Sequence, residues 1–395
     1  MAALSVTETV SWGILYYGFP VFLRSMEGHL EASRVAVTGA FSVGMGVAAL
    51  AALPVGRWIH GRGPRGLMTF GSCLGTALLL LWSRVESLPA FYVLWAIMGL
   101  ALATTLYEPA FAAVVSWFTA RHRDRALTIV TLAGALASTI FMPVAAWLLE
   151  QLGWRAALLV LAAILGVTTI PLHALVLRSR DSDGGDERYD GRSSVPSATF
   201  RQALATPFFW VLTVAFVAGN FATVSVTVHL IPYLTDRGWS APVAAAAIGW
   251  IGAMQIAGRV VFGAIAARLG ARAITATMFV AQAVGLSMLA VVRELPGGLL
   301  PIVIVLGIAN GMSTLARATT LASVFGPREY ATISGALAAG ANGARAVGPV
   351  GASLLYVGLG GYEAVFWTLA AALALAGLAL AVTEARAPAG GTPER

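Results

Sequence analysis

Long apolar runs, each closed by a short polar turn, dominate this chain. A helix of about 20 apolar residues crosses a bilayer. Twelve such runs can be drawn, at about 7–26, 35–58, 66–83, 88–118, 126–150, 154–177, 207–234, 241–266, 273–292, 297–325, 330–357 and 361–383. The pattern predicts an all-α membrane protein with twelve transmembrane helices, six in each half of the chain. The first run is too long for a cleaved signal peptide and has no small-residue cleavage site ahead of polar sequence, so it is expected to stay as a helix.

The two halves repeat one another. The segment from Gly56 to Arg65 is echoed 207 positions later from Gly263 to Arg272, with Gly56, Gly63 and Arg65 recurring as Gly263, Gly270 and Arg272. Nearly the same offset relates Phe118 to Phe325, Gly134 to Gly340, Pro143 to Pro349 and Gly153 to Gly360. Each echo falls where an apolar run ends in an arginine-bearing turn, so the repeated unit is a bundle of membrane helices. Paired bundles around a central site are how secondary transporters are built.

Composition agrees with the pattern: 58% of the 395 residues are hydrophobic and 11% are charged, more apolar surface than a water-soluble core of this size buries. The formal net charge of +7 lies in the turns between runs and not in a patch interleaved with exposed aromatics, so no nucleic-acid partner is expected. With the N-terminus inside, cytoplasmic segments carry sixteen arginines and outer segments six. Both termini are therefore expected in the cytoplasm, with the chain in the inner (plasma) membrane. Lysine is absent, which is read as base composition. Cys73 stands alone in an apolar run, so neither a disulfide framework nor redox chemistry is expected.

These features predict an N-terminal bundle over 1–178, a flexible cytoplasmic linker over 179–205, a C-terminal bundle over 206–386 and a disordered tail over 387–395. Phe200 to Leu204 reads as a short surface helix leading into the seventh run. The outer turns are too short for a soluble catalytic domain. Glu27, His29 and Glu31 share one outer turn, but three residues without a fourth ligand read as polar surface. No Walker loop, dinucleotide fingerprint or nucleophile elbow is present, so neither an enzyme nor an ATP-driven pump is expected, and no cofactor or metal.

A charged side chain at the bilayer centre costs at least about 2.5–3.5 kcal/mol, so intramembrane charges are functional candidates. Arg259, Arg317 and Arg345 lie in runs of the second half, and Glu108 in the fourth run. Three positive groups against one negative favour an anion, and the guanidinium fork suits a carboxylate. Gln255 lies one helical turn from Arg259 and Asn342 three residues before Arg345, giving two donor-rich faces. Contact with substrate is the leading reading for Arg345. Arg259 is open between that role and tying helix ends together. Arg317 reads equally as a partner of Glu108. Glu108 itself reads as a proton carrier or switch ahead of an inert pair. His229, before Pro232-Tyr233, is a second proton candidate.

These residues carry a resemblance to the major facilitator superfamily. Its turn between the second and third helices matches at Gly56, Gly63 and Arg65, while His60 stands where the family has aspartate, which weakens the gating ion pair the family makes there. Within the superfamily the chain resembles the monocarboxylate porter and oxalate:formate antiporter branch. Trp117-Phe118 followed by Arg121, Arg123, Arg125 and Ala126, and then Ala133-Gly134, is similar to that branch's signature between helices 4 and 5. Glu8 with Trp12-Gly13, and the residues at 17–20, are similar to its first helix, where the lysine of some monocarboxylate carriers is Val21 here. The resemblance implies an intramembrane arginine on helix 8 and a basic residue on helix 11 at the substrate, matched by Arg259 and Arg345. It places Tyr16 and Tyr107 on cavity-lining helices.

The expectation is a secondary active transporter of a small organic anion, a mono- or dicarboxylate, working by alternating access as a monomer in the lipid bilayer. Proton symport is the first reading and exchange for a counter-anion the second. The rival of the same fold is a drug or metabolite efflux transporter, which would use an aromatic, acidic cavity. The rival of another class is a non-transporting membrane sensor or enzyme.

Overall fold

The computed structural model describes residues 1–177, 197–292 and 298–383. Among them there is no strand; the elements are helices joined by short turns. The tail predicted over 387–395 lies outside the described residues, as does the linker before residue 197.

Nine described helices are long and apolar enough to cross a membrane. One of them, His122–Val176, contains Gly153 at φ 75° and ψ 164°, where the helical run breaks, so it carries the fifth and sixth passes. Two further passes complete the set. The first is Ala2–Ser11, a π-helical turn at Trp12–Tyr16, and Gly18–His29. The eleventh is Tyr330–Leu359. The fold is thus the expected all-α arrangement of twelve passes. The first begins at Ala2, before the apolar run drawn from residue 7, and Leu4, Thr7, Glu8 and Ser11 of its opening helix are buried.

Local sequence sets the pass boundaries. Ser33, Ser87 and Thr206 cap the second, fourth and seventh passes, their side chains accepting from Ala36, Ala90 and Phe209 backbone N–H groups. Pro64, Pro89 and Pro207 occupy first turns, where a missing N–H costs nothing. The duplication is visible in the backbone. Gly63 and Gly270, equivalent in the two repeats, have φ of 77° and 79°, and Gly153 and Gly360 have 75° and 78°. These left-handed turns between passes call for glycine. The short helix ahead of the seventh pass is present at Phe200–Ala205, started by a capping box between Thr199 and Gln202.

The chain forms two compact units, Met1–Val195 with Pro327–Ala339, and Pro196–Gly326 with Gly340–Arg395. The eleventh pass therefore begins in the first unit and ends in the second. In the first unit Phe19, Phe22, Trp82, Phe91 and Trp95 form a buried aromatic core. Its second and fourth passes meet backbone to backbone: a Cβ on Gly99 would lie 2.2 Å from the Gly44 carbonyl. In the second unit the equivalent eighth and tenth passes do the same, and a Cβ on Gly311 would lie 2.1 Å from the Gln255 carbonyl. Small residues allow this approach, which supplies the packing that a hydrophobic effect cannot give between helices in lipid. Large apolar side chains such as Leu50, Val167, Leu175 and Val214 are well exposed on the outside of the units, the inverse of a protein that faces water.

Candidate transport site

Polar groups inside the first unit gather where two passes are locally irregular. The fourth pass breaks at Leu106, which has extended backbone, and restarts as Tyr107–Trp117. Glu108 thus sits in the first turn of a new helix, at the positive end of its dipole. Discontinuous helices of this kind place half-helix ends at transport sites. The Ser334 hydroxyl, at the start of the eleventh pass, donates to Glu108 Oε2 at 3.0 Å.

The first pass brings its π turn to the same place. There Trp12 meets the rings of Tyr16 and Tyr107 at 5.1 and 4.9 Å. Tyr107 also stacks on Phe111 and donates to the Thr131 carbonyl at 3.4 Å. The two tyrosines read as cavity residues therefore lie in one aromatic cluster beside Glu108. Glu8 was singled out in the sequence only as part of a motif. It is fully buried here, Oε2 accepting from Trp12 Nε1 at 3.1 Å. The signal that would have found it is an acid one helical turn from a tryptophan at the edge of an apolar run.

In the second unit Arg345 is the centre of a separate polar seam. Its Nε donates to Asn220 Oδ1 at 3.3 Å, and Asn220 Nδ2 donates to the Ala341 carbonyl at 3.1 Å. One turn further along the seventh pass, Thr223 Oγ1 donates to Asn310 Oδ1 at 3.3 Å, and Gln282 Nε2 donates to the same oxygen at 2.8 Å. Gln282 Oε1 is buried with no hydrogen-bond partner among the described residues. Asn220, Thr223, Gln282 and Asn310 carry no charge and gave no signal in the sequence. Asn342, half-buried, lies within a turn of Arg345 on the same helix.

Arg259 and Arg317 stand on the closely packed eighth and tenth passes of the same unit, both half-buried. Gly258, next to Arg259, faces the Ile308 carbonyl, and Gln255 faces Gly311. Arg259 Nε is buried without a hydrogen-bond partner among the described residues. His229 is held elsewhere: Nδ1 lies 3.2 Å from the Tyr362 hydroxyl, nine residues beyond Asn220 on the same helix, or about 13 Å at 1.5 Å per residue.

The repeated turn is placed as a packing element. Gly56 lies against the backbone of Ala331 and Thr332 within the first unit, where a Cβ would meet the Ala331 carbonyl at 2.2 Å. His60 lies in the last turn of the second pass, before Gly63 reverses the chain and Pro64-Arg65 start the third. In the outer turn His29 is engaged by the Val85 carbonyl at 2.9 Å and by Glu86 at 3.3 Å, with Arg155 bonded to the same carboxylate.

A duplicated all-α chain of twelve membrane passes, with charged and amide side chains turned inside its bundles, has the form of a transporter. The Major Facilitator Superfamily model matches residues 2–337 and 247–395, and the chain belongs to that superfamily, as a multi-pass membrane protein. It is 27% identical over 229 residues to an oxalate:formate antiporter of Oxalobacter formigenes, a match covering 58% of this chain and 53% of that protein. It is 26% identical over 313 residues to monocarboxylate transporter 13 of Bos taurus, covering 78% of this chain and 71% of that one. This chain thus spans about half of the antiporter's length. Its fold is similar to the human organic anion transporter MFSD10, with TM-score 0.70 and 17% identity over 96% of this chain and 99% of that one. It is also similar to the E. coli fucose:proton symporter, with TM-score 0.74 and 12% identity over 97% and 98%.

Proposed function

We propose that this transporter carries a small organic anion, a mono- or dicarboxylate, coupled to protons, by alternating access of six-helix bundles spanning 1–178 and 206–386. The observation that carries the reading is the Arg345–Asn220 pair midway along its passes, in a unit whose passes hold Arg259, Arg317 and Arg345 while their only acids are the terminal Asp236 and Glu363. Asn220 engages the Arg345 guanidinium through Nε, and a guanidinium fork suits a carboxylate. Arg259, with Gln255 a turn away, and Arg317 supply further positive charge, and Asn342 a further amide. Tyr16 and Tyr107 supply an aromatic wall in the other unit. Glu108, at a half-helix end, is the coupling acid, and His229 a subsidiary proton group. The similarity to an oxalate:formate antiporter and to monocarboxylate transporters supports the carboxylate class. Exchange against a counter-anion is the second reading. The plasma membrane, cytoplasmic termini and a monomeric state complete the proposal.

A thermal-shift screen of the purified protein against mono- and dicarboxylates tests it. A ligand at 100 times its Kd stabilises the folded state by about 2.7 kcal/mol. Carboxylates are expected to raise the melting temperature and lipophilic cations to leave it unchanged. The opposite ranking would overturn the reading in favour of an efflux transporter of the same fold.

A further inference from the structure

Glu8 is the buried acid that this reading leaves without a task. It is 0% exposed, and while Oε2 accepts from Trp12, Oε1 is buried with no hydrogen-bond partner among the described residues. A carboxylate in that setting would be cut off from water with half of its acceptor capacity unmet, a penalty that an un-ionised carboxyl escapes.

Among the described residues Glu8 forms no ion pair. Its own helix carries no other charged side chain before Arg24. The restarted fourth pass brings Tyr107 and Glu108. The π turn at Leu172–Val176 brings His173, whose Nδ1 is engaged with Ser72 at 2.8 Å and the Met68 carbonyl at 3.2 Å. The fifth pass is registered on the first by Thr9 Oγ1, which donates to the Ala133 carbonyl at 2.8 Å. Its charged and titratable residues are His122 and those at 121–125, and then Glu150 and Arg155. Along the helix these stand at least about 12 Å to one side of Ala133 and about 25 Å to the other.

We propose that Glu8 is a proton-binding site of this transporter. It holds a proton in the conformation described here. When this face of the first pass opens to water, the carboxyl O–H breaks, the proton passes to water and a carboxylate is left. Trp12 links the event to the rest of the site, because its N–H is bonded to Glu8 while its ring rests on Tyr107, the neighbour of Glu108. The π turn at Trp12–Tyr16, with its looser hydrogen bonding, gives the first pass a place to adjust. The role in coupling rests on the proton-driven reading above; the presence of the proton does not.

Infrared spectroscopy of the full-length protein in lipid nanodiscs, titrated with pH in water and in deuterium oxide, tests the site without any substrate. The wild type is expected to show the carbonyl band of an un-ionised carboxylic acid at neutral pH, sensitive to deuteration. Glu8→Gln, which preserves shape and the bond from Trp12, is expected to lose that band, and Glu8→Asp to keep one at a shifted frequency. A band unchanged in Glu8→Gln, or no such band in the wild type, would overturn the proposal. In proteoliposomes with labelled oxalate or lactate, Glu8→Gln is expected to bring the ratio of pH-driven uptake to counterflow down to the gradient-free control. A ratio equal to wild type would make Glu8 a structural acid and also overturn the proposal. A wild type indifferent to the pH gradient would instead overturn the proton-coupled reading, leaving the infrared result to decide the site.

Discussion

Arg345 and Asn220 stand 125 residues apart in sequence and are joined by a hydrogen bond between two passes of the second unit. A hydrogen bond to a charged group contributes about 1.5–3 kcal/mol, or roughly 10- to 100-fold in affinity. Arg345→Ala is therefore expected to cut anion uptake by at least about tenfold while the protein still inserts and folds. Arg345→Lys should retain part of the uptake if point charge suffices, because lysine keeps the charge and loses the fork. Uptake in reconstituted liposomes, normalised to protein amount, measures both. Glu108 has a different proposed task, at a half-helix end under the Ser334 hydroxyl. Glu108→Gln removes its charge and keeps its shape, so accumulation driven by a pH gradient should disappear while counterflow falls far less. Continued gradient-driven accumulation would shift the coupling role to Glu8 or His229, or to anion exchange.

The sequence made the charged candidates visible because a lone charge in an apolar run is conspicuous. It hid Asn220, Thr223, Gln282 and Asn310, since an uncharged polar residue in a membrane helix means little until its partner is known. Those partners come from passes far apart in the chain. Glu8 was obscured in another way: it is the second residue of the first apolar run, where an acid reads as the polar end of a helix. Only the fifth pass and the restarted fourth, folded over it, make it a buried group.

At the scale of elements, paired glycines carry the closest helix contacts. A side chain at Gly311 would strike the Gln255 backbone, which cannot turn away as a side-chain tip can. Gly311→Val is expected to destabilise by about 1–3 kcal/mol, the usual cost of overpacking, seen as a lowered melting temperature in detergent. Gly249→Ala and Gly252→Ala, where an added Cβ meets nothing within 4 Å, should leave that temperature unchanged. The contact of Gly56 with Ala331 and Thr332 gives His60 its meaning. His60 follows one turn after Gly56, which packs on the first turn of the eleventh-pass helix, where a negative charge is favourable. His60→Asp should strengthen that packing by about 0.3–1 kcal/mol. With Cys73 replaced by Ser and a single reporter at Thr332→Cys, labelling should slow by roughly two- to fivefold, the same energy read as a rate. An unchanged rate would detach this turn from the gate.

For the whole molecule, twelve passes and a sixfold-plus-sixfold repeat were legible in the sequence because each pass must bury its own backbone hydrogen bonds, which forces long uninterrupted apolar runs. The interruptions were less visible. The break at Leu106 has neither proline nor glycine at the break itself, and the π turn begins at an ordinary tryptophan. Nor did composition show that Pro327–Ala339 belongs with the first unit and Gly340 onward with the second. That division depends on which helices the two ends of one pass touch.

The matched turns at Gly63 and Gly270, and at Gly153 and Gly360, also record the chain's ancestry. After a gene doubles, side chains drift independently, and His60 now faces Ala267 across the repeat. A positive φ is a stereochemical requirement that drift does not relax, since a side chain held there incurs about 1–3 kcal/mol. A saturation mutagenesis map should therefore show these four sites as intolerant pairs spaced 207 apart, amid turns that accept nearly anything. The oldest information in this protein is held by residues with no side chain at all.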